Sequence, residues 1–228
     1  MPTVAITGAA GAIGSTTTRV FADAGWRLGL FDYDADAISD LHATYPDAYV
    51  AQADLTDIDA AREAFDAMAA QHEAPHAVLS IAGGFAMQAA TEATDADYAH
   101  MMDINMRTLF NTARAALPHM QSHSESFLLG VSAPAAENGG ANMGLYAASK
   151  AAVAAYLKSL HAELHSEGVR VSTLYPMGVV DTPANRKAMP DSDPSTWVTP
   201  QELAETMLHA ATRSAQGHIR ALKVYAAT

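Results

Sequence analysis

Residues 3–14 read Thr3-Val4-Ala5-Ile6-Thr7-Gly8-Ala9-Ala10-Gly11-Ala12-Ile13-Gly14, and Ser15 to Ala24, which follow, can open a helix. A short apolar run that turns through glycines into a helix brings bare backbone and free N–H groups to one point, at the positive end of the helix dipole. A dinucleotide pyrophosphate needs this arrangement, with no side chain where the backbone turns or where it approaches phosphate. An ordinary turn explains any one of these glycines. Three of them between a first strand and a first helix point to nucleotide binding.

Outward from this turn, apolar runs recur at 27–31, 48–52, 76–81, 126–131, 169–175 and 219–225, separated by segments with helical apolar spacing. Strands alternating with helices pair in parallel, and right-handed crossovers predict an α/β, doubly wound sheet of about seven strands with helices on both faces, the Rossmann fold. A chain of 228 residues, half of them apolar and 17% charged, fits one compact domain, 1–228. The longest helical patterns are 95–117 and 143–167, and the second ends at Gly168, suited to a left-handed cap. Residues 181–200, with four prolines, several aspartates and Trp197, interrupt the periodicity and read as a substrate loop or flap.

The net charge of -12 repels polyanions, so nucleic acid is not expected as a partner. The lack of cysteine excludes disulfides and thiolate catalysis. Met1-Pro2 leads straight into the first apolar run without a basic leader, and no stretch is long enough to span a membrane, so a cytoplasmic location is expected.

Asp32 ends the second strand, 18 residues after Gly14. A carboxylate there accepts both hydrogen bonds of an adenosine ribose and repels a 2′-phosphate, which favours NAD(H) over NADP(H); the competing role is a helix cap in the acidic stretch 32–36. Asp54 lies just past the third strand, placed to reach the adenine edge or to cap the helix that starts near Asp57. Tyr146 and Lys150, four residues apart in the alanine-rich helix, share one face. Bringing a phenol from its usual pKa of about 10 to near neutrality takes roughly 3 units, about 4 kcal/mol, of preferential stabilisation of the phenolate. The Lys150 ammonium and an oxidised nicotinamide are expected to supply it, leaving Tyr146 able to exchange a proton with a substrate.

With Ala82-Gly83 after the fourth strand and Asn105 in the next helix, the pattern resembles the short-chain dehydrogenase/reductase family over essentially the whole chain. The resemblance implies that Tyr146 is the acid/base, that Lys150 also holds the nicotinamide ribose, and that Asn105 anchors a water in the proton path. It further implies a cofactor lined by Gly8, Gly11, Ile13, Gly14, Asp32, Asp54, Leu55, Ala82, Gly83, Tyr146 and Lys150, with Pro176, Gly178 and Thr182 at the nicotinamide end. Ala12 stands at the family's usual middle glycine, with Gly11 one residue early; Ser80-Ile81-Ala82-Gly83 lacks a common asparagine, and Pro176 lies one residue further than usual from Thr182. At Ala133, thirteen residues before Tyr146, most relatives carry a serine that holds the substrate oxygen. Ser132 takes that catalytic role if the loop shifts, against the rule that adjacent strand residues face opposite ways.

Dihydropteridine reductases resemble this chain in the alanine at that position, in the run Ala82-Gly83-Gly84-Phe85, in Asp181-Thr182-Pro183-Ala184-Asn185-Arg186-Lys187-Ala188-Met189-Pro190, and in Ser195-Thr196-Trp197 and Thr199-Pro200. Their reaction adds hydride and proton to a conjugated C=N system and forms no alkoxide, so a missing serine matters less. The rivals are a general carbonyl or alcohol oxidoreductase using Ser132 and a nicotinamide-binding sensor without turnover. Phe85, Met143, Leu145 and Trp197 are substrate-facing candidates, with core packing as the alternative. His161 and His165 stand at i, i+4, but Ala162 occupies the place of a zinc protease's glutamate, so no metal is expected. Partners are a small-molecule substrate and further copies of the chain, in a homodimer or homotetramer built on the two long helices.

Overall fold

The computed structural model describes residues 1–226. Strands β1 (Thr3–Thr7), β2 (Arg27–Asp32), β3 (Tyr49–Gln52), β4 (Ala77–Ser80), β5 (Ser126–Val131), β6 (Val169–Met177) and β7 (Ala221–Tyr225) form one sheet in the order β3-β2-β1-β4-β5-β6-β7. Every pairing is parallel, and the order reverses between β1 and β4. The expected doubly wound sheet is present, and the carboxyl ends of its strands at this switch point are where such sheets hold ligands.

The helices are α1 (Ala12–Asp23), α2 (Ala35–Thr44), α3 (Ile58–Gln71), α4 (Asp95–Met102), α5 (Thr108–Met120), α6 (Ala135–Asn138), α7 (Gly144–Leu164), α8 (Pro183–Ala188) and α9 (Pro200–Ala211). Because strand side chains alternate, each central strand feeds two cores. Ala5, Val78 and Leu128 pack with Phe65, Leu109 and Leu157 under α3, α5 and α7, whereas Val4, Ile6, Leu79, Phe127 and Leu129 pack with Phe21, Leu203 and Met207 under α1 and α9. Phe31 and Phe65 stack with ring centroids 4.7 Å apart, and both are fully buried. Truncating either to Ala costs about 3–5 kcal/mol.

Two long patterns differ in detail from their expected form. The 95–117 helix runs on to Met120 with Pro118 in its last turn, and Asp103–Arg107 between α4 and α5 is a π-helical turn. Periodicity does not reveal such a one-residue widening of the spiral, which frequently marks a functional position. The 143–167 helix ends in a 3-10 turn, His165–Glu167, and Gly168 takes the left-handed conformation with φ 83, as expected.

The 181–200 segment contains short elements of its own. Thr182 Oγ1 accepts from Asn185 N and caps α8, Asp193 caps a 3-10 turn at Pro194–Thr196, and Arg186 grips Asp181 through two nitrogens at 2.5 and 2.8 Å. Backbone bonds from Val198 N to Val179 O and from Asp181 N to Val198 O tie its ends together. The capping residues Thr182-Pro183 and Thr199-Pro200 carried this signal in the sequence.

Candidate active site

The glycine turn is fixed to both neighbouring strands. Thr7 Oγ1 accepts from Ile81 N and Ala82 N at 3.1 and 3.2 Å, and Asp32 Oδ2 accepts from Ala10 N at 2.9 Å. Gly8 has φ 66, and a Cβ on Gly14 would lie 1.9 Å from Gly8 O, so neither position admits a side chain without moving the turn. Gly11 caps α1 without a side-chain oxygen, and the first turn of that helix holds no acidic residue. The amides of Ala12, Ile13 and Gly14 therefore face outward as unmatched donors, which fits a pyrophosphate.

Asp32 is 8% exposed at the end of β2, where its other oxygen accepts from Tyr33 N and Asp34 N. It is not the cap of α2; Asp34 is, accepting from Asp36 N and Ala37 N. Asp57, in turn, caps α3, while the exposed Asp54 accepts from Thr56 N and Thr56 Oγ1 next to buried Leu55. Both carboxylates thus stand apart from helix capping, braced at the strand ends. Pro176 lies at the buried end of β6, opposite Val224, and Gly178 follows it.

Lys150, Asn105, Gly83 and Tyr146 are brought together. Lys150 Nζ donates to Val131 O at 3.0 Å, and a Cβ on Gly83 would meet Asn105 Oδ1 at 2.7 Å and Lys150 Nζ at 3.2 Å. Asn105, on the π-helical turn and 2% exposed, accepts from Gly84 N and donates to Gly84 O and Ser149 Oγ, each at 3.1 Å. Both hydrogens of its amide are spent on protein groups, so a water at this residue can donate to it but not accept from its amide. Ser149 Oγ passes the chain on by donating to Tyr146 O. Thus Asn105 ties the Gly84 loop to the first turns of α7, a link that Ser149 completes and that sequence reasoning missed. Its signal was a serine three residues after Tyr146, on the same face of the helix.

In the free chain, without the oxidised nicotinamide that a depressed tyrosine pKa calls for, burial sets both groups away from their ordinary values. Burial pushes the Tyr146 phenol up to about 12 and the Lys150 ammonium down to about 8. Lys150 is turned to a neutral carbonyl rather than to an anion, so desolvation dominates at both groups. Tyr146 keeps its proton throughout the neutral range, as a general acid requires.

Ser132 and Ala133 are 2% and 4% exposed. Ser132 Oγ donates to Lys150 O at 2.8 Å, which commits its one proton to α7. Phe85 is 54% exposed and meets Tyr146 edge-on, with centroids 4.8 Å apart. Leu145 lines a cleft with Ala86, Gln88, Asn142 and α4 residues Asp97 and His100, held closed at one end by Gln88 N donating to Asn142 O. Met143 is half-buried at the start of α7, against Gly140. Trp197, in contrast, is 8% exposed and presents almost no surface to a ligand, which favours core packing. No helix among the described residues is long and apolar enough to cross a membrane.

Residues 2–193 match the family model described as short chain dehydrogenase. A probable galactose dehydrogenase from Rhizobium meliloti (strain 1021) is 26% identical over 206 residues, 88% of this chain and 77% of that protein. Among solved structures, the NADPH-bound short chain oxidoreductase from Pseudomonas aeruginosa PAO1, described as containing an atypical catalytic center, superposes with a TM-score of 0.88 at 22% identity, over 98% of this chain and 95% of that one. A 3-ketoacyl-(acyl-carrier-protein) reductase from Brucella melitensis complexed with NADH gives 0.87 at 22% identity, over 98% and 96%.

Proposed function

The chain belongs to the short chain dehydrogenase family, and from that premise we propose that it is an NADH-dependent reductase of a small conjugated C=N substrate, a quinonoid dihydropterin being the best match. The observation that carries this proposal is the pair of residues after β5: Ala133 offers only a methyl group, and the Ser132 proton is donated to Lys150 O. A ketone reduced here would develop oxyanion charge without that donor, a loss of several kcal/mol in a dry site. Addition to C=N places charge on nitrogen, which Tyr146 can quench directly.

When bound, the reduced nicotinamide supplies the hydride. The chain does the rest. The α1 amides hold the pyrophosphate, and Asp32 accepts from the adenosine ribose, where a 2′-phosphate would face its carboxylate at short range. Lys150 holds the nicotinamide ribose after exchanging its Val131 O contact, and its ammonium steadies the phenolate that Tyr146 leaves on giving up its proton. The substrate would gain that hydride together with the Tyr146 proton, and solvent would reprotonate Tyr146. Phe85, exposed and edge-on to Tyr146, provides a flat apolar wall for a planar ring. The 181–200 segment closes the nicotinamide end, and further copies of the chain pack on α5 and α7, where Phe110 stands exposed against Tyr156.

The test is consumption of NADH by the purified protein with quinonoid dihydropterin, beside NADPH, a panel of ketones, aldehydes and aldoses, and a Tyr146→Phe control. Fast pterin turnover lost in the control supports the proposal. Inert pterin with an active carbonyl or sugar transfers the assignment to a carbonyl or alcohol oxidoreductase, and silence on all of them leaves a nicotinamide-binding protein without turnover.

A further inference from the structure

We propose that the groove beside α7, over the outer strands β6 and β7, binds a small amphipathic carboxylate at a site separate from the nicotinamide site. The groove encloses about 320 Å³ between Leu157, Lys158 and His161 of α7 and Val171, Thr173 and Tyr175 of β6, and Arg220 and Ala221 complete it. That volume lies at the lower end of the range for small-molecule sites.

Sheet register explains its form. Val171, Thr173 and Tyr175 alternate along β6 and so point to one face, and Ala221 pairs with Thr173 on the neighbouring strand. α7 covers β5 and β6 but leaves this outer strip of the sheet without a helix of its own. The floor is therefore apolar, from Leu157, Val171 and Ala221, with two hydroxyl-bearing residues set into it. Both Thr173 and Tyr175 are nearly buried, at 3% and 2% exposed.

The rim carries the charge. Lys158 and Arg220 are exposed, and neither makes an ion pair among the described residues. His161 adds a ring nitrogen, Nδ1, that is buried and has no hydrogen-bond partner. Among the described residues no carboxylate lines the groove, and Glu137, which bears on Tyr175, is already paired with Lys223 at 2.6 Å. In a chain of net charge -12, two cations without ion-pair partners among the described residues at one apolar groove form a local positive field aimed at a ligand with an apolar body and an anionic head. His165 and His218 flank His161, with centroids 5.4 and 5.1 Å away, but among the described residues no three His, Asp or Glu side chains converge as metal ligands do, so an anion and not a cation fits.

The test is calorimetric titration of the full chain, at constant ionic strength and without nucleotide, with octanoate, octan-1-ol and inorganic phosphate. Octanoate is expected to saturate one site per chain and to bind at least about tenfold tighter than either control, because it alone supplies both the apolar body and the charge. A Lys158→Ala, Arg220→Ala double variant, altered only at exposed positions, is expected to lose about tenfold or more in octanoate affinity with NADH binding unchanged. Equal binding of octan-1-ol, equal binding of phosphate, undiminished affinity in the double variant, or no saturable octanoate binding, as when a second copy of the chain covers this face, would each overturn the assignment. None of these outcomes depends on which substrate the nicotinamide site reduces.

Discussion

Replacing Lys150 by methionine is expected to make the protein more stable near neutrality while abolishing its turnover. The Lys150 ammonium is buried and titrates at about 8 in the folded chain, against an ordinary value of 10.5. Below the folded pKa both states carry the charge, and the folded one bears the whole cost of desolvation. Above the unfolded pKa neither state is charged, and the cost is gone. The difference corresponds to about 3 kcal/mol at pH ~7 and falls to about 1 kcal/mol at pH ~9.5. Methionine fills a similar volume without the charge but forfeits the bond from Nζ to Val131 O, worth about 1 kcal/mol. Net, Lys150→Met should be about 2 kcal/mol more stable than the parent at pH ~7 and within a few tenths of it at pH ~9.5. Urea unfolding of both proteins at the two pH values, at one protein concentration, measures the difference. A gap that does not change with pH, or a variant less stable near neutrality, would refute the idea that an uncompensated buried ammonium is held there for the sake of the site.

Three further outcomes follow from the geometry. Gly14→Ala should abolish nucleotide binding and lower the melting temperature steeply, because its Cβ would overlap Gly8 O, whereas exposed Gly11→Ala, with its Cβ 3.3 Å from the same oxygen, should fold and bind with a modest loss; thermal unfolding with and without NADH separates them. Ser132→Ala should cost about 1 kcal/mol of stability and leave kcat within about threefold, since only the bond to Lys150 O is lost; a hundredfold fall in kcat would return Ser132 to the substrate. Asp32→Ser should weaken NADH and improve NADPH, moving the ratio of their kcat/KM values by about tenfold or more, and an unmoved ratio would remove Asp32 from cofactor selection.

The strands were legible because a doubly covered parallel sheet buries both faces, so 3–7, 76–81 and 126–131 each centre on three consecutive apolar residues instead of alternating with polar ones. Tyr146, Lys150 and Asn105 were legible through spacing, and the structure draws them together. What spacing could not convey was how each side chain is occupied. Asn105 has both amide hydrogens engaged, Ser132 donates back to α7, and Lys150 faces a carbonyl, facts that depend on rotamers across 18 to 44 residues of sequence separation. The burial of Tyr146 and Lys150 in the free chain was not legible for the same reason. An i, i+4 pairing locates two groups on one helix face but says nothing of the solvent each has lost. Trp197 read equally as a ligand contact or as core, because the bonds that close the loop at Val179, Asp181 and Val198 have no signal in residue spacing.

The π-helical turn at Asp103–Arg107 also bears on how this segment can change in length. An α-helix advances about 100° per residue, so removing one residue from a regular helix would rotate everything beyond it off its packing face. Here one residue is already in surplus, and α4 and α5 keep their faces on α7 and on the sheet despite it. A single-residue deletion within the turn would let the backbone relax to a regular helix with both flanking faces still in register. The chain would fold, yet Asn105 would lose the widened stretch from which it reaches Gly84 and Ser149. The surplus residue is therefore dispensable to the architecture and retained for the site, so natural variants one residue shorter in this helix are expected to be stable proteins with the Gly84 loop released.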